Sequence, residues 1–161
     1  KFKDINFDEL IVHLTDSHKK KLIWFMENKD KSFSWSEIER QQLAITSKGI
    51  YKPKDWIYAL STKTTISTSY EDADIFINPS NGEWKSEYDL ERQINGNKSY
   101  TSEALQACAE DFVPVGHLLQ IKEKPNSTYR VIGPYLLKLQ ETSKSIKMFG
   151  FSDEGRIKII Q

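Results

Sequence analysis

Val115-Gly116-His117-Leu118-Leu119-Gln120-Ile121, followed across a turn by Tyr129-Arg130-Val131-Ile132 and then by Leu136-Leu137-Lys138-Leu139, decides the fold class. These runs are short, β-branched, aliphatic and aromatic, and Pro125-Asn126-Ser127 punctuates the first two. That is the composition of strands separated by a turn. Ile146 to Phe151 and Ile157 to Ile160 extend the series towards the C-terminus. Working upstream, Trp56 to Ser61 and Thr64-Thr65-Ile66 read as further strands in a domain that begins near Gly49. Asp74-Ile75-Phe76-Ile77 runs into Asn78-Pro79-Ser80-Asn81-Gly82, after which Glu83 to Tyr88 alternates, the pattern of a hairpin. Ser102 to Ala109 is the single Ala-rich interruption and reads as a helix capped by Thr101 or Ser102. Many short strands with one inserted helix predict an α+β fold, a strand-rich curved β-barrel with flanking helices.

The first 45 residues differ in period. Phe7, Leu10, Ile11 and Leu14 recur at helical spacing, and Leu22, Ile23, Phe25 and Met26 continue an apolar face. Asp16 or Ser17 can cap a second helix, and Ser34 or Ser36 a third. Residues 1–45 are therefore expected to be a helical N-terminal extension, with His18 to Lys21 as a solvated helix end, and residues 46–161 the main domain. The chain contains no internal repeat, low-complexity tract or linker.

Composition narrows the function. The 161 residues are 38% hydrophobic and 29% charged, as in a globular soluble chain. Lys and Arg (23) balance Asp and Glu (23), so any basic footprint is local. No apolar run approaches the roughly 20 residues of a membrane span. The chain opens Lys1-Phe2-Lys3-Asp4, without an initiator Met or signal segment, and so reads as a processed or excised piece. One cysteine, Cys108, rules out an internal disulfide and thiolate-cluster zinc, and on its Ala-rich helix it reads as a buried small hydrophobe. A cytoplasmic protein with no metal and no cofactor is the expectation. Aromatics reach 12%, which suits either a β-rich core or a stacking site for a base.

Familiar catalytic signatures are missing. There is no glycine-rich phosphate loop, no His-Glu-x-x-His and no Gly-x-Ser-x-Gly elbow. His117, inside a strand-like run, reads as a packed or solvent-facing residue rather than a general base. Glu83-Trp84-Lys85, with Asp72 and Asp74 ahead of it, has the Asp…Glu-x-Lys spacing of some metal-dependent nucleases. A small nuclease is accordingly the catalytic alternative to a non-enzymatic binding module, which the residues favour.

Gly49-Ile50-Tyr51-Lys52-Pro53, Tyr58-Ala59-Leu60-Ser61 and Ser69-Tyr70-Glu71-Asp72 resemble the opening of the SRA-like (SET- and RING-associated-like) domain at the front of McrA-type HNH restriction endonucleases. Gly82-Glu83-Trp84, Tyr88, Glu103 to Cys108, Val113-Pro114-Val115-Gly116 and Tyr129 to Gly133 continue the resemblance in the family's order, over residues 45 to 151. It implies a reader of modified DNA that flips a modified cytosine, such as 5-methylcytosine, into a pocket of an SRA/PUA-like barrel. Aromatic faces and base-edge hydrogen bonds then offset the few kcal/mol of extrusion. By the resemblance, Tyr70 takes the first stacking position, Tyr88 or Trp84 the second, and Asp72 or Asp74 the carboxylate that accepts from the cytosine amine. The family's Tyr-Glu-Asp-Asp run is interrupted here by Ala73, which leaves the two aspartates as alternatives.

Lys48, Lys52, Lys54 and Lys63 against Asp55 leave a charge of +3 over residues 46–70, and Lys122, Lys124 and Arg130 add a second basic strand-turn. These are the candidate contacts to DNA phosphates. Residues 71–91 carry −6, which is compatible with DNA only if most of those carboxylates point outward. No histidine follows His117, so the HNH nuclease half has no counterpart here. Recognition of modified duplex DNA for an effector nuclease in the same or another chain, as the specificity module of a restriction or defence system, is the expected function. A PUA-like RNA-modification reader is the remaining alternative.

Overall fold

The computed structural model describes residues 2–45, 49–65, 74–89, 100–140 and 145–160. In chain order the elements are β1 (Phe2–Asn6), α1 (Phe7–Leu10), α2 (Asp16–Glu27), β2 (Ser32–Ser34), α3 (Trp35–Arg40), β3 (Ile50–Tyr51) and β4 (Ser61–Thr64). There follow β5 (Phe76–Ile77), β6 (Trp84–Asp89), α4 (Tyr100–Asp111), β7 (Val115–Lys122), β8 (Thr128–Leu139), β9 (Ser145–Gly150) and β10 (Arg156–Ile160). The main sheet has the order β3-β4-β7-β8-β9-β6-β5, with β2 beside β8. Among the described residues β4 and β7 run parallel and the remaining pairs of this sheet antiparallel. β1 and β10 form a separate antiparallel ribbon. The fold is thus strand-rich α+β with a mixed sheet. Among the described residues its ladder does not close into a barrel, because β3 and β5 remain terminal strands.

The sheet nevertheless curls. The Tyr88 hydroxyl on β6 donates to the Lys63 carbonyl on β4 at 3.1 Å. Four strand steps separate these elements, which in a flat sheet would be about 19 Å. Its two flanks therefore face one another.

Tyr129 to Ile132 and Leu136 to Leu139, read from the sequence as two strands, belong to one twelve-residue strand, β8. His117 pairs with Gly133 but Leu118 pairs with Val131, so Ile132 is an extra residue. This is a β-bulge, and Gly133 supports it with a φ of 117° that side-chain-bearing residues rarely adopt. The bulge exchanges the two faces of the strand. Tyr129, Val131 and Leu136 face one core, with Leu22 and Phe25 of α2 and Ile38 of α3. Ile132, Tyr135 and Leu137 face the other, with Leu105 and Cys108 of α4, Ile146 and Met148.

The helix over 102–109 forms but begins at Tyr100, so Thr101 and Ser102 lie inside it and do not cap it, while the hairpin at 74–88 forms as the pattern indicated. The hairpin turn is tied by Asn78 and Asn81 side chains accepting from the Ser80 and Glu83 amides, both at 2.9 Å. Ser34 caps α3, whereas Thr15 rather than Asp16 or Ser17 caps α2. Residues 1–45 are not purely helical: β1 and β2 pair with β10 and β8, and their helices share a core with the sheet. Trp56 to Leu60 is not a strand. Tertiary contacts hold it instead, with Trp56 stacked on His18 at 4.3 Å and the Tyr58 hydroxyl donating to Asp111 at 2.6 Å. His18 is consequently buried at 3% exposure, not solvated as expected.

Gly116 is where α2 presses on β7, since a Cβ there would lie 2.5 Å from the Phe25 ring. Gly116→Ala overpacks that contact and is expected to cost about 1–3 kcal/mol. Urea unfolding followed by tryptophan fluorescence should show a lower midpoint at unchanged slope.

Candidate functional site

Inside the curl, polar groups meet where an apolar core would be expected. The parallel register of β4 and β7 sets Thr62 beside His117. Thr62 Oγ1 lies 2.8 Å from His117 Nδ1 and 2.8 Å from the Tyr135 hydroxyl, and Thr64 Oγ1 lies 3.2 Å from His117 Nε2. His117 is 1% exposed, and burial depresses its pKa to about 3. The imidazole is therefore neutral and has one N–H to place. Two arrangements satisfy the chain. Nε2–H donates to Thr64 while Thr62 donates to Nδ1 and Tyr135 to Thr62, or every bond of that chain runs the other way.

Aromatic rings wall this group. Trp84, Tyr88 and Tyr135 each have a ring centroid 6.0 Å from that of His117. Burial raises the pKa of both tyrosines, so their hydroxyls stay protonated donors. Trp84 Nε1 is buried with no hydrogen-bond partner among the described residues, lying against Gly150. A Cβ on Gly150 would fall 2.0 Å from that nitrogen, so glycine is what admits the indole. The threonine and tyrosine hydroxyls and the neutral imidazole satisfy one another or a strand carbonyl, which leaves the Trp84 indole N–H as the member without a partner among the described residues. The cluster offers no charged group for a phosphate.

Of the residues singled out from sequence, Tyr70, Asp72 and Lys48 lie outside the described residues. Trp84 and Tyr88 do come together, but as buried walls at 2% and 3% exposure, with the Tyr88 hydroxyl fixed by β4. Asp74 is exposed, in a left-handed conformation with φ 45°. Lys63 is not available to a phosphate. It is 6% exposed, donates to the Ile45 carbonyl and sits 4.4 Å from the Trp35 ring centroid, and burial lowers its pKa to about 8. Lys54, Lys122 and Lys124 are exposed, Lys52 is partly so and donates to the Pro53 carbonyl, and Arg130 pairs with Asp30 at 3.5 Å. Lys124 lines a cleft of about 690 Å³ with Trp35, Ser34 and Asn126. The acidic hairpin does point outward at Asp74 and Glu87, while Glu83 accepts from the Lys158 amide.

Thr62, Thr64 and Tyr135 were not foreseen. The parallel register of β4 against β7 brings Thr62 and Thr64 to His117 across more than 50 residues, and the antiparallel register of β8 against β7 brings Tyr135, so no local signal marks the group. Among the described residues no group of three or more His, Cys, Asp or Glu is placed to hold a metal ion. Compared with models of known families, curated proteins and solved structures, the chain matches none. Among the described residues no helix is long and apolar enough to cross a membrane.

Burial of His117 and His18 has a pH consequence. Their pKa values fall from 6.5 to about 3 and about 4, in both cases chiefly by desolvation. Between those values and 6.5 the unfolded chain binds more protons than the folded one, so stability falls as pH is lowered. Unfolding free energies from pH 6.5 to 5 should drop by up to about 1.4 kcal/mol per pH unit for each histidine. His18→Phe, which keeps a ring on Trp56, should remove its share of that slope.

Proposed function

We propose that this chain recognises a modified cytosine in duplex DNA by base flipping, as the specificity module of a restriction or defence system whose nuclease lies elsewhere. The observation that carries this reading is the aromatic and hydroxyl-lined interior of the curled sheet, formed by Thr62, Thr64, Trp84, Tyr88, His117 and Tyr135. β4 contributes two of these residues and ends six positions before Tyr70 in the sequence, within the motif that resembles SRA-like domains. In this reading the curled sheet is the open form of an SRA/PUA-like barrel. Tyr70 supplies the stacking face, Asp72 or Asp74 accepts from the exocyclic amine, and Tyr88 and Trp84 form the wall behind the base rather than half of a sandwich. Uncharged donors and acceptors suit a base, which carries no charge once separated from its phosphate. Exposed Lys54, Lys122 and Lys124, with Lys52, supply the salt-dependent phosphate contacts.

Titration of the chain with matched duplexes carrying plain, 5-methyl-, 5-hydroxymethyl- and glucosylated cytosine, reported by 2-aminopurine beside the target, tests this reading. One modified duplex should bind best and raise the emission. Tyr70→Ala should weaken it about ten-fold or more, the loss of roughly 1–3 kcal/mol of stacking. Tyr88→Phe should lower stability and keep the preference. Lys54→Ala should weaken all duplexes and reduce the salt slope, whereas Lys63→Ala should change stability and leave that slope unaltered. Equal binding of every duplex by wild type and Tyr70→Ala overturns the proposal. Preferential binding of single-stranded RNA supports the PUA-like reader instead, and Glu83-dependent nicking of plasmid with Mg²⁺ the nuclease.

A further inference from the structure

The C-terminal third of β8 has only one neighbour. β7 begins at Val115, opposite Tyr135, so beyond that point β8 pairs with β9 alone among the described residues. The phase of that ladder fixes which groups are left over. Phe151 donates to the Pro134 carbonyl and Gln140 to that of Ser145, so the even-numbered residues of β8 turn their backbone groups to β9. The N–H and C=O of Leu137 and Leu139 therefore point to the opposite side. That edge opens on a groove of about 670 Å³ lined by Ile5, Phe112, Leu136, Leu137, Leu139 and Phe149. Phe112 is 55% exposed on its wall.

An open strand edge is a template for another strand, and natural sheets normally cover or charge it. Here the charges at the groove are Lys85, Lys138 and Lys158 against Glu110, and no ion pair engages the three lysines among the described residues. We infer that this edge of β8 is a docking site for an extended, acidic segment of a partner protein, added as a further strand. Alternation in β8 dictates the pattern of that segment. Leu137 and Leu139 project to one face, beside Ala109 and Phe112, while Lys138 projects to the other, towards Lys85 and Lys158. A fitting strand then alternates apolar residues against the leucines with carboxylates against the lysines.

The inference is independent of the nucleic-acid reading and is tested without DNA. A fluorescein-labelled eight-residue peptide alternating Val and Glu is titrated into the full chain by polarisation. Alongside it run a Val-Lys peptide and a Val-Glu peptide N-methylated on alternate amides. Saturable binding of Val-Glu alone is expected, weakened ten-fold or more by N-methylation and by the surface double variant Lys138→Glu/Lys158→Glu, which leaves the core intact. The Leu137 and Leu139 amides should gain hydrogen-exchange protection on adding the peptide. Equal binding of all three peptides, no binding, or binding unchanged by N-methylation overturns the strand-addition proposal. So does a self-associated chain in sedimentation whose Leu137 and Leu139 amides are already protected, or a groove that takes dodecanoate but not the peptide.

Discussion

β8 is packed on both faces and paired along most of both edges, and the rest of the molecule is arranged to satisfy it. Its first half carries β7 on one side and β2 on the other; its second half carries β9. Buried on two faces, such a strand needs two layers of cover, and α2 with α3 supplies one while α4 supplies the other. Alternation lets one strand serve two cores, and the bulge at Ile132 shifts its phase midway, so that beyond it Leu136 faces the first core while Tyr135 and Leu137 face the second. The residues of 1–45 are for that reason part of the domain's packing and not an appendage.

How much of this was legible depends on whether the signal is local. The Asn78 to Gly82 turn, the Ser34 cap and the Ala-rich helix are written in adjacent residues, and they form where expected. Trp56 to Leu60 has strand composition but no strand partner. His18 and Asp111, far apart in sequence, hold its aromatics as a loop. His18 itself sits in a run of lysines, which reads as surface until Trp56 covers it. Lys63 misleads in the same way: a lysine in a basic stretch looks like a phosphate contact, yet its alkyl chain lies inside the fold and its ammonium finds a carbonyl and an indole face.

The site was half visible. Trp84 and Tyr88, singled out by the resemblance, both flank His117, and the threonines and Tyr135 around it arrive through strand register alone. The interior they form is polar yet uncharged. A charged group so deep would need a partner, whereas hydroxyls and a neutral imidazole satisfy one another at 2.8–3.2 Å. Formal charges stay out of this cluster: Asp74, Glu87, Lys54, Lys122 and Lys124 are exposed, and buried Lys63 turns its ammonium to the Ile45 carbonyl and the Trp35 ring. The interior is thus made polar by hydrogen bonding and not by charge.

The β1–β10 ribbon joins Phe2 to Ile160, so almost the whole chain lies in the loop that it closes. Loop closure carries an entropic cost that grows with the logarithm of length, and contacts so distant in sequence form after the local ones that shorten the effective loop. Ile5 and Ile157, carried by the two strands of that ribbon, are buried in the first core. Both also line the groove beside β8. The groove therefore shares its wall with a pairing of very long range, so a change that weakens the ribbon disturbs the groove and the first core together.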